Sequence, residues 1–164
     1  MRRYAVGDLV VYASHGIGRV TALSGAGEQQ MLVLACDSGL TVTLPAARAS
    51  ETLRPLAGEN ELADVGQTLR GDVPEIEQAW SKRLRATREK LAAGLASGLA
   101  EIVRDGAQRE RQTAARQGNA SSPSERELYV KARKLLADEI GLSRGIDRAD
   151  AELWIDDQLA AHEA

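Results

Sequence analysis

The chain has 164 residues, 43% hydrophobic and 27% charged, a balance that fits one domain or two small ones and excludes a disordered or membrane-embedded composition. Its net charge of −3 argues against nonspecific coating of nucleic acid, and the single cysteine, Cys36, allows no intramolecular disulfide and lacks the partners of a zinc site. No apolar segment follows Met1-Arg2-Arg3 and none approaches the roughly 20 residues a bilayer needs, so the expectation is a soluble cytoplasmic protein with no membrane contact.

From Tyr4 to Leu44 the pattern is β. Val6 with Leu9 to Tyr12, then Arg19 to Leu23, then Met31 to Cys36 read as short strands. Asp37-Ser38-Gly39 forms a tight turn, and Leu40 to Leu44 alternates apolar and hydroxyl residues before Pro45 removes a ladder donor. Strands this short and this closely spaced suit a small twisted barrel of the Tudor or SH3 kind. Such a module is small for a catalytic pocket, but its edges can pair with another protein's strand. Gly16 and Gly18 read as turn glycines. His15, between Ser14 and Gly16, has no Cys, Asp or Glu at ligand spacing, so it reads as structural rather than as a metal ligand or base. Cys36 lies in an apolar strand, as a buried, inert thiol does.

Pro55 to Asn60 reads as the hinge out of this module, which places the first domain at 1–56 and a linker at 57–71. Beyond it the periodicity turns helical, giving a domain over 72–164 and an α+β chain overall. Asp72-Val73-Pro74-Glu75 resembles a capping box. A helix runs from Ser81 through Leu91 and breaks near Gly94; Leu95, Leu99, Ile102 and Val103 continue an apolar stripe. Gln117 to Ser124 is a loop whose Ser122 or Ser124 caps a helix starting near Pro123, with Leu128, Leu135, Leu136 and Ile140 as its core face and Gly141 as its stop. A last helix, about Asp147 to Ala161, offers Leu153, Trp154 and Leu159 as apolar positions.

Charge is segregated along the chain. Residues 57–79 carry one basic and six acidic side chains, whereas 80–111 carry eight and four. The acidic pairs Glu75/Glu77 and Asp156/Asp157 read as solvated or helix N-terminal charge. There is no P-loop, nucleophile elbow or H-E-x-x-H, and His162 sits in the final tail, so no catalytic residue, cofactor or metal is expected and the chain reads as a non-enzyme. The segment "WSKRLRATREK", Trp80 to Lys90, holds five basic residues against one acid. On a continuous helix Trp80, Leu84 and Leu91 share one side, so the tryptophan can be a core residue on a solvated basic helix. With Ser81 as N-cap, Trp80 instead lies just outside the helix, where ring and cations can engage a duplex through a minor-groove step and its phosphates.

The β module opening with "VGDLVVYASHGIGRV" and the later "WSKRLRATREKLAAG", together with "LTVTLP", "EIVRD", "SER" and "ARKLLADEI" in the same order, resemble the CarD/CdnL family of bacterial transcription regulators. The N-terminal half is also similar to the polymerase-interaction module of transcription-repair coupling factors. The resemblance implies a monomer whose Tudor-like domain docks on the lobe of the RNA polymerase β subunit through Leu40, Thr41, Val42, Thr43 and Pro45. It implies a helical domain that stabilises the open complex of the sigma-containing holoenzyme, and with it an association with the nucleoid through polymerase. At the upstream edge of the bubble Trp80 would wedge into the promoter minor groove, and Lys82, Arg83 and Arg85 would contact phosphates. Thr43 stands where many relatives place a basic residue, and Gly106 where a large apolar one is usual. Those departures, with the net acidity, leave a second reading open: a divergent paralogue that binds proteins without productive DNA contact.

Overall fold

A computed structural model describes residues 2–74, 79–116 and 122–162. The chain divides into two units, Met1–Leu56 and Ala57–Ala164. The first is β and the second helical, the α+β arrangement expected.

In the first unit β1 (Leu9–Val11), β2 (Ile17–Ser24), β3 (Met31–Cys36), β4 (Thr41–Pro45) and β5 (Arg54–Pro55) form one antiparallel sheet in the order β4-β3-β2-β1-β5. The alternation in β3 drives the packing: Leu32, Leu34 and Cys36 point inward to join Val10, Val20 and Leu44, with Ala49 and Leu53 around the short helix α1 (Ala49–Thr52). Burial pushes the Cys36 thiol up, and the neighbouring Asp37 adds to the effect. The Tyr4 hydroxyl donates to the Leu53 carbonyl (3.2 Å), tying the start of the unit to its end. Val6 is exposed in a turn rather than part of a strand. Between β1 and β2 the residues Ala13–His15 make a single 3-10 turn closed by Gly16 at φ 86°, and the His15 ring lies against Tyr12 at 4.9 Å between centroids. Gly18 is no turn residue. It pairs with Val10 and Cys36 inside the sheet, where a Cβ would come within 2.8 Å of the Leu34 side chain.

The expected linker at 57–71 is instead a helix, α2 (Glu59–Arg70), whose Leu62, Val65 and Leu69 lie in the core of the second unit. Pro55 belongs to β5, so Gly58 serves as the N-cap of α2 rather than as part of a hinge. The other helices are α3 (Trp80–Ala93), α4 (Ala96–Arg116), α5 (Pro123–Arg144) and α6 (Arg148–Ala161). Their core joins α2 to Leu91, Leu99, Val103, Leu136, Ile140 and Ile155. Leu128 and Leu135 pack at its margin. Gly94, in the left-handed conformation at φ 67°, ends α3 where the break is expected. Ser122 caps α5 with Pro123 next to it, again as expected. Gly141 does not stop α5, which continues to Arg144 and ends at Gly145; the absent Cβ of Gly141 lets the Ile146 carbonyl approach instead. In α6 the buried positions are Ala151, Ile155 and Leu159, while Leu153 is exposed and Leu95 likewise faces solvent. The Glu75 end of the expected capping box, the Glu75/Glu77 pair and residues 117–121 of the expected loop lie outside the described residues.

Two polar ties, one buried and one half-buried, fix the start of this unit. Glu139, 1% exposed, accepts the Ala57 N–H (2.9 Å), and the Ser143 hydroxyl one turn later donates to the Ala57 carbonyl (2.6 Å). At its other end His162 Nδ1 reaches the Arg70 carbonyl at 2.9 Å, joining the ends of α6 and α2. Gly106 is explained by its neighbour: the Tyr129 ring of α5 occupies the space a side chain would take, 2.9 Å from the position of a Cβ to its Cγ. The large apolar residue expected at 106 has in effect been supplied by α5. Gly106→Ala is therefore expected to destabilise the protein by about 1–3 kcal/mol in urea titration, despite alanine's better helix propensity; a stabilised variant would overturn this account.

Candidate nucleic-acid interface

The first residue of α3 is Trp80 itself, with Ala79 as N-cap and no side-chain cap, so Ser81 is not the cap. Trp80 is nevertheless 50% exposed, because the core side of α3 begins one turn later at buried Leu84 and continues to Leu91. Both expectations for this tryptophan are partly met: it shares a side with the core leucines, and it faces water.

A rotation of about 100° per residue sorts the five cations of α3. Arg83 and Lys90 fall on one side of the Trp80–Leu84 line. There Arg83 Nε and Nη2 both approach Glu125 Oε1 at 2.8 Å, and Lys90 Nζ meets Glu101 at 2.8 Å. Glu125 is 8% exposed, so its carboxylate depends on Arg83 for compensation. Arg85 and Arg88 fall on the other side and line an open cleft of about 600 Å³ together with Trp80, Leu84 and Ser124. Lys82 is exposed and lies on the side of α3 opposite the tryptophan. Trp80 and Arg85 are therefore brought together, Arg88 joins them although it was not among the expected contacts, and the half-buried Arg83 is paired with Glu125 instead.

The ring of Trp80 is anchored at its polar edge. Its Nε1–H donates to Ser122 Oγ (3.3 Å), and the same oxygen accepts the Glu125 backbone N–H (3.2 Å) as the cap of α5. Among the described residues no group of three or more His, Cys, Asp or Glu is placed to hold a metal ion, and none of their helices is long and apolar enough to cross a membrane.

In the first unit β4 is an edge strand that pairs only with β3. The Cys36 N–H to Leu40 carbonyl bond (2.8 Å) and the Ala46 N–H to Gln30 carbonyl bond (2.9 Å) fix which residues face the ladder. By that alternation Val42 and Leu44 direct their backbone groups to β3, and Thr41 and Thr43 direct theirs outward. Leu40, Thr41, Thr43 and Pro45 are exposed and Val42 is half-buried, so this edge can receive an added strand.

A family model described as "CarD, C-terminal domain" matches residues 64–156, and one described as "CarD-like/TRCF RID domain" matches residues 4–57. The chain belongs to the CarD family. CarD proteins are transcription regulators, not enzymes, and the N-terminal module is one that interacts with RNA polymerase. The chain is also similar to the "Putative transcription factor YdeB" of Bacillus subtilis (strain 168), at 24% identity over 149 residues covering 87% of this chain and 94% of the relative. The match to the CarD C-terminal domain starts within α2, in keeping with the place of that helix in the second core.

The different settings of the α3 arginines have a measurable consequence. Arg83→Ala is expected to lower stability by about 1–2 kcal/mol, since it leaves the Glu125 carboxylate buried without its partner. Arg85→Ala and Arg88→Ala are expected to stay within about 0.5 kcal/mol of the parent in the same urea titration. Equal effects at all three positions would contradict the assignment.

Proposed function

We propose that this CarD-family protein docks through the β4 edge on the lobe of the RNA polymerase β subunit and stabilises the open promoter complex by contacting DNA at the upstream edge of the bubble. The observation that carries the reading is the half-exposed Trp80 beside Arg85 and Arg88 at the start of α3. Leaving an indole half in water beside cations fits a ring that finds its remaining contacts in a duplex, unstacking or lining a minor-groove step while the guanidinium groups meet phosphates. The outward backbone groups of Thr41 and Thr43 support the docking half, since strand addition uses main-chain hydrogen bonds and does not require the basic side chain that relatives carry at position 43.

Lys82 stays in the proposal as an outlying phosphate contact. Arg83 supports the site from within, because its charge is already shared with Glu125. The net charge of −3 and the pairing of Arg83 and Lys90 favour a second reading, in which the protein binds polymerase without productive DNA contact.

Two measurements separate the readings. Trp80→Ala is expected to retain co-purification with RNA polymerase while shortening the lifetime of the open complex on a linear promoter; loss of both together, or of neither, counts against the proposal. In titrations of bubble-containing DNA, Arg85→Ala and Arg88→Ala are each expected to flatten the logarithmic salt dependence by about 0.9. Arg83→Ala is expected to leave that slope unchanged, and an unchanged slope for all three variants would favour the second reading.

A further inference from the structure

The first turn of α3 is closed by the Arg83 N–H to Ala79 carbonyl bond (3.0 Å) but carries no side-chain cap, and its indole is half exposed. The start of α5 supplies two side-chain ties to that turn. Residues 80 and 83 of α3 meet Ser122, the N-cap of α5, and Glu125 in its first turn through two separate ties, Trp80 Nε1–H to Ser122 Oγ and Arg83 to Glu125. The partners on each helix are three residues apart and so lie on one face, which makes the two ties a clasp between two first turns. Ser122 Oγ is itself held by the Glu125 N–H, so the acceptor seen by the indole is fixed in place.

We propose that Ser122 and Glu125 are positioning residues for the Trp80 wedge: Ser122 sets the direction of the indole, and Glu125, through Arg83, holds the turn from which the ring projects. The inference rests on the reading of Trp80 as a DNA-contacting group, and it requires neither Ser122 nor Glu125 to touch nucleic acid. A ring already held in one orientation loses less rotamer freedom on entering a base step, so its contacts convert more fully into stability of the complex. The burial of Glu125 fits the same role, because a carboxylate that deep holds its guanidinium partner in one geometry.

The test must separate positioning from helix stability. Ser122→Gly removes the hydroxyl yet keeps most of the capping preference, whereas Ser122→Thr keeps the oxygen. In the free protein, the Trp80 indole N–H, assigned by comparison with Trp80→Phe, is expected to lose protection from solvent exchange in Ser122→Gly and to keep it in Ser122→Thr, with the Trp154 indole unaffected in both. With RNA polymerase, Ser122→Gly is expected to shorten the open-complex lifetime about fivefold, an ordinary size for coupling between contacting residues, and to have no further effect once Trp80→Ala is present. Glu125→Gln, which keeps an acceptor for Arg83, is expected to act in the same non-additive way with a smaller effect.

A Ser122→Gly lifetime equal to the parent's, while Trp80→Ala shortens it, overturns the positioning role alone. Additive effects in the double variant overturn it too, because they make Ser122 an independent contact or a general stabiliser. A Trp80→Ala lifetime equal to the parent's overturns the DNA reading and the positioning role with it, and the exchange measurement then still reports whether the hydrogen bond exists.

Discussion

Holding an indole half out of the core has a thermodynamic consequence that the helical unit must absorb. A tryptophan side chain buries roughly 150–250 Å² when enclosed. At about 25 cal/mol per Å², leaving half of it in water forgoes roughly 2–3 kcal/mol. The start of α3 also lacks a capping side chain, so the turn that carries the ring is among the least self-sufficient in the unit. Beyond its own Arg83 N–H to Ala79 carbonyl bond, it is held by side chains at the start of α5: the Ser122 hydroxyl takes the indole N–H, and Glu125 draws Arg83 across. A buried carboxylate that would weaken the core alone thereby becomes a tie to the first turn of α3.

The same device recurs where the helical unit begins. Ala57 precedes the first turn of α2, and its peptide is held on both sides by α5, with Glu139 accepting from the N–H and Ser143 donating to the carbonyl. α5 thus supplies buried polar anchors near both its ends, and its middle packs Ala132, Leu136 and Ile140 into the core. Hydrogen bonds to buried backbone groups add modestly to net stability, but removing one leaves an unpaired group at a cost of about 1–3 kcal/mol. The arrangement specifies one packing of α2 and α3 on α5 more than it deepens stability, and on the proposed reading a site that depends on the orientation of a single ring needs that specificity.

Much of this organisation was legible in the chain. Period-two alternation located β3 and β4, Gly94 and Ser122 marked helix boundaries through conformations and caps that few other residues supply, and the basic run after Trp80 pointed to the candidate site. The errors have physical causes. Pro55, Gly58 and a row of acids look like a linker, but in α2 the acids line the solvent side while Leu62, Val65 and Leu69 repeat at the three- and four-residue spacing of a core face. Gly141 looks like a helix stop because glycine is a common terminator, whereas here it leaves room for the Ile146 carbonyl just past the true end of α5; Gly106 looks like a missing apolar side chain because the Tyr129 ring that fills its place comes from another helix. Arg83 and Arg85 are indistinguishable in a composition of cations. They fall 200° apart around the helix, and only the position of Glu125, forty-two residues from Arg83, decides which is occupied. Glu125 gives a weak signal of its own as an acid three residues after a serine, the spacing of a capping box, but that pattern does not announce an arginine partner.

The pairing of Arg83 and Lys90 bears on how such a protein can use DNA at all. With those two engaged, Lys82, Arg85 and Arg88 remain as exposed cations of α3, and Arg88 is followed by an acid, Glu89. Two or three phosphate contacts give a small counterion-release term and hence weak affinity for free duplex at physiological salt, in keeping with an acidic chain that has no reason to coat nucleic acid. On the proposed reading that weakness suits the architecture. A first unit docked on polymerase presents the second to DNA at a high effective concentration, so a contact too weak to bind alone still counts once the complex has formed. Specificity for the bubble edge then follows from where polymerase holds the protein and from the ease with which an already opened junction accepts a ring, rather than from base-edge hydrogen bonds. Raising the DNA affinity of α3 by freeing Arg83 would work against this division, since it would take the clasp apart to gain one phosphate contact outside the cleft and loosen the ring the contact is meant to serve.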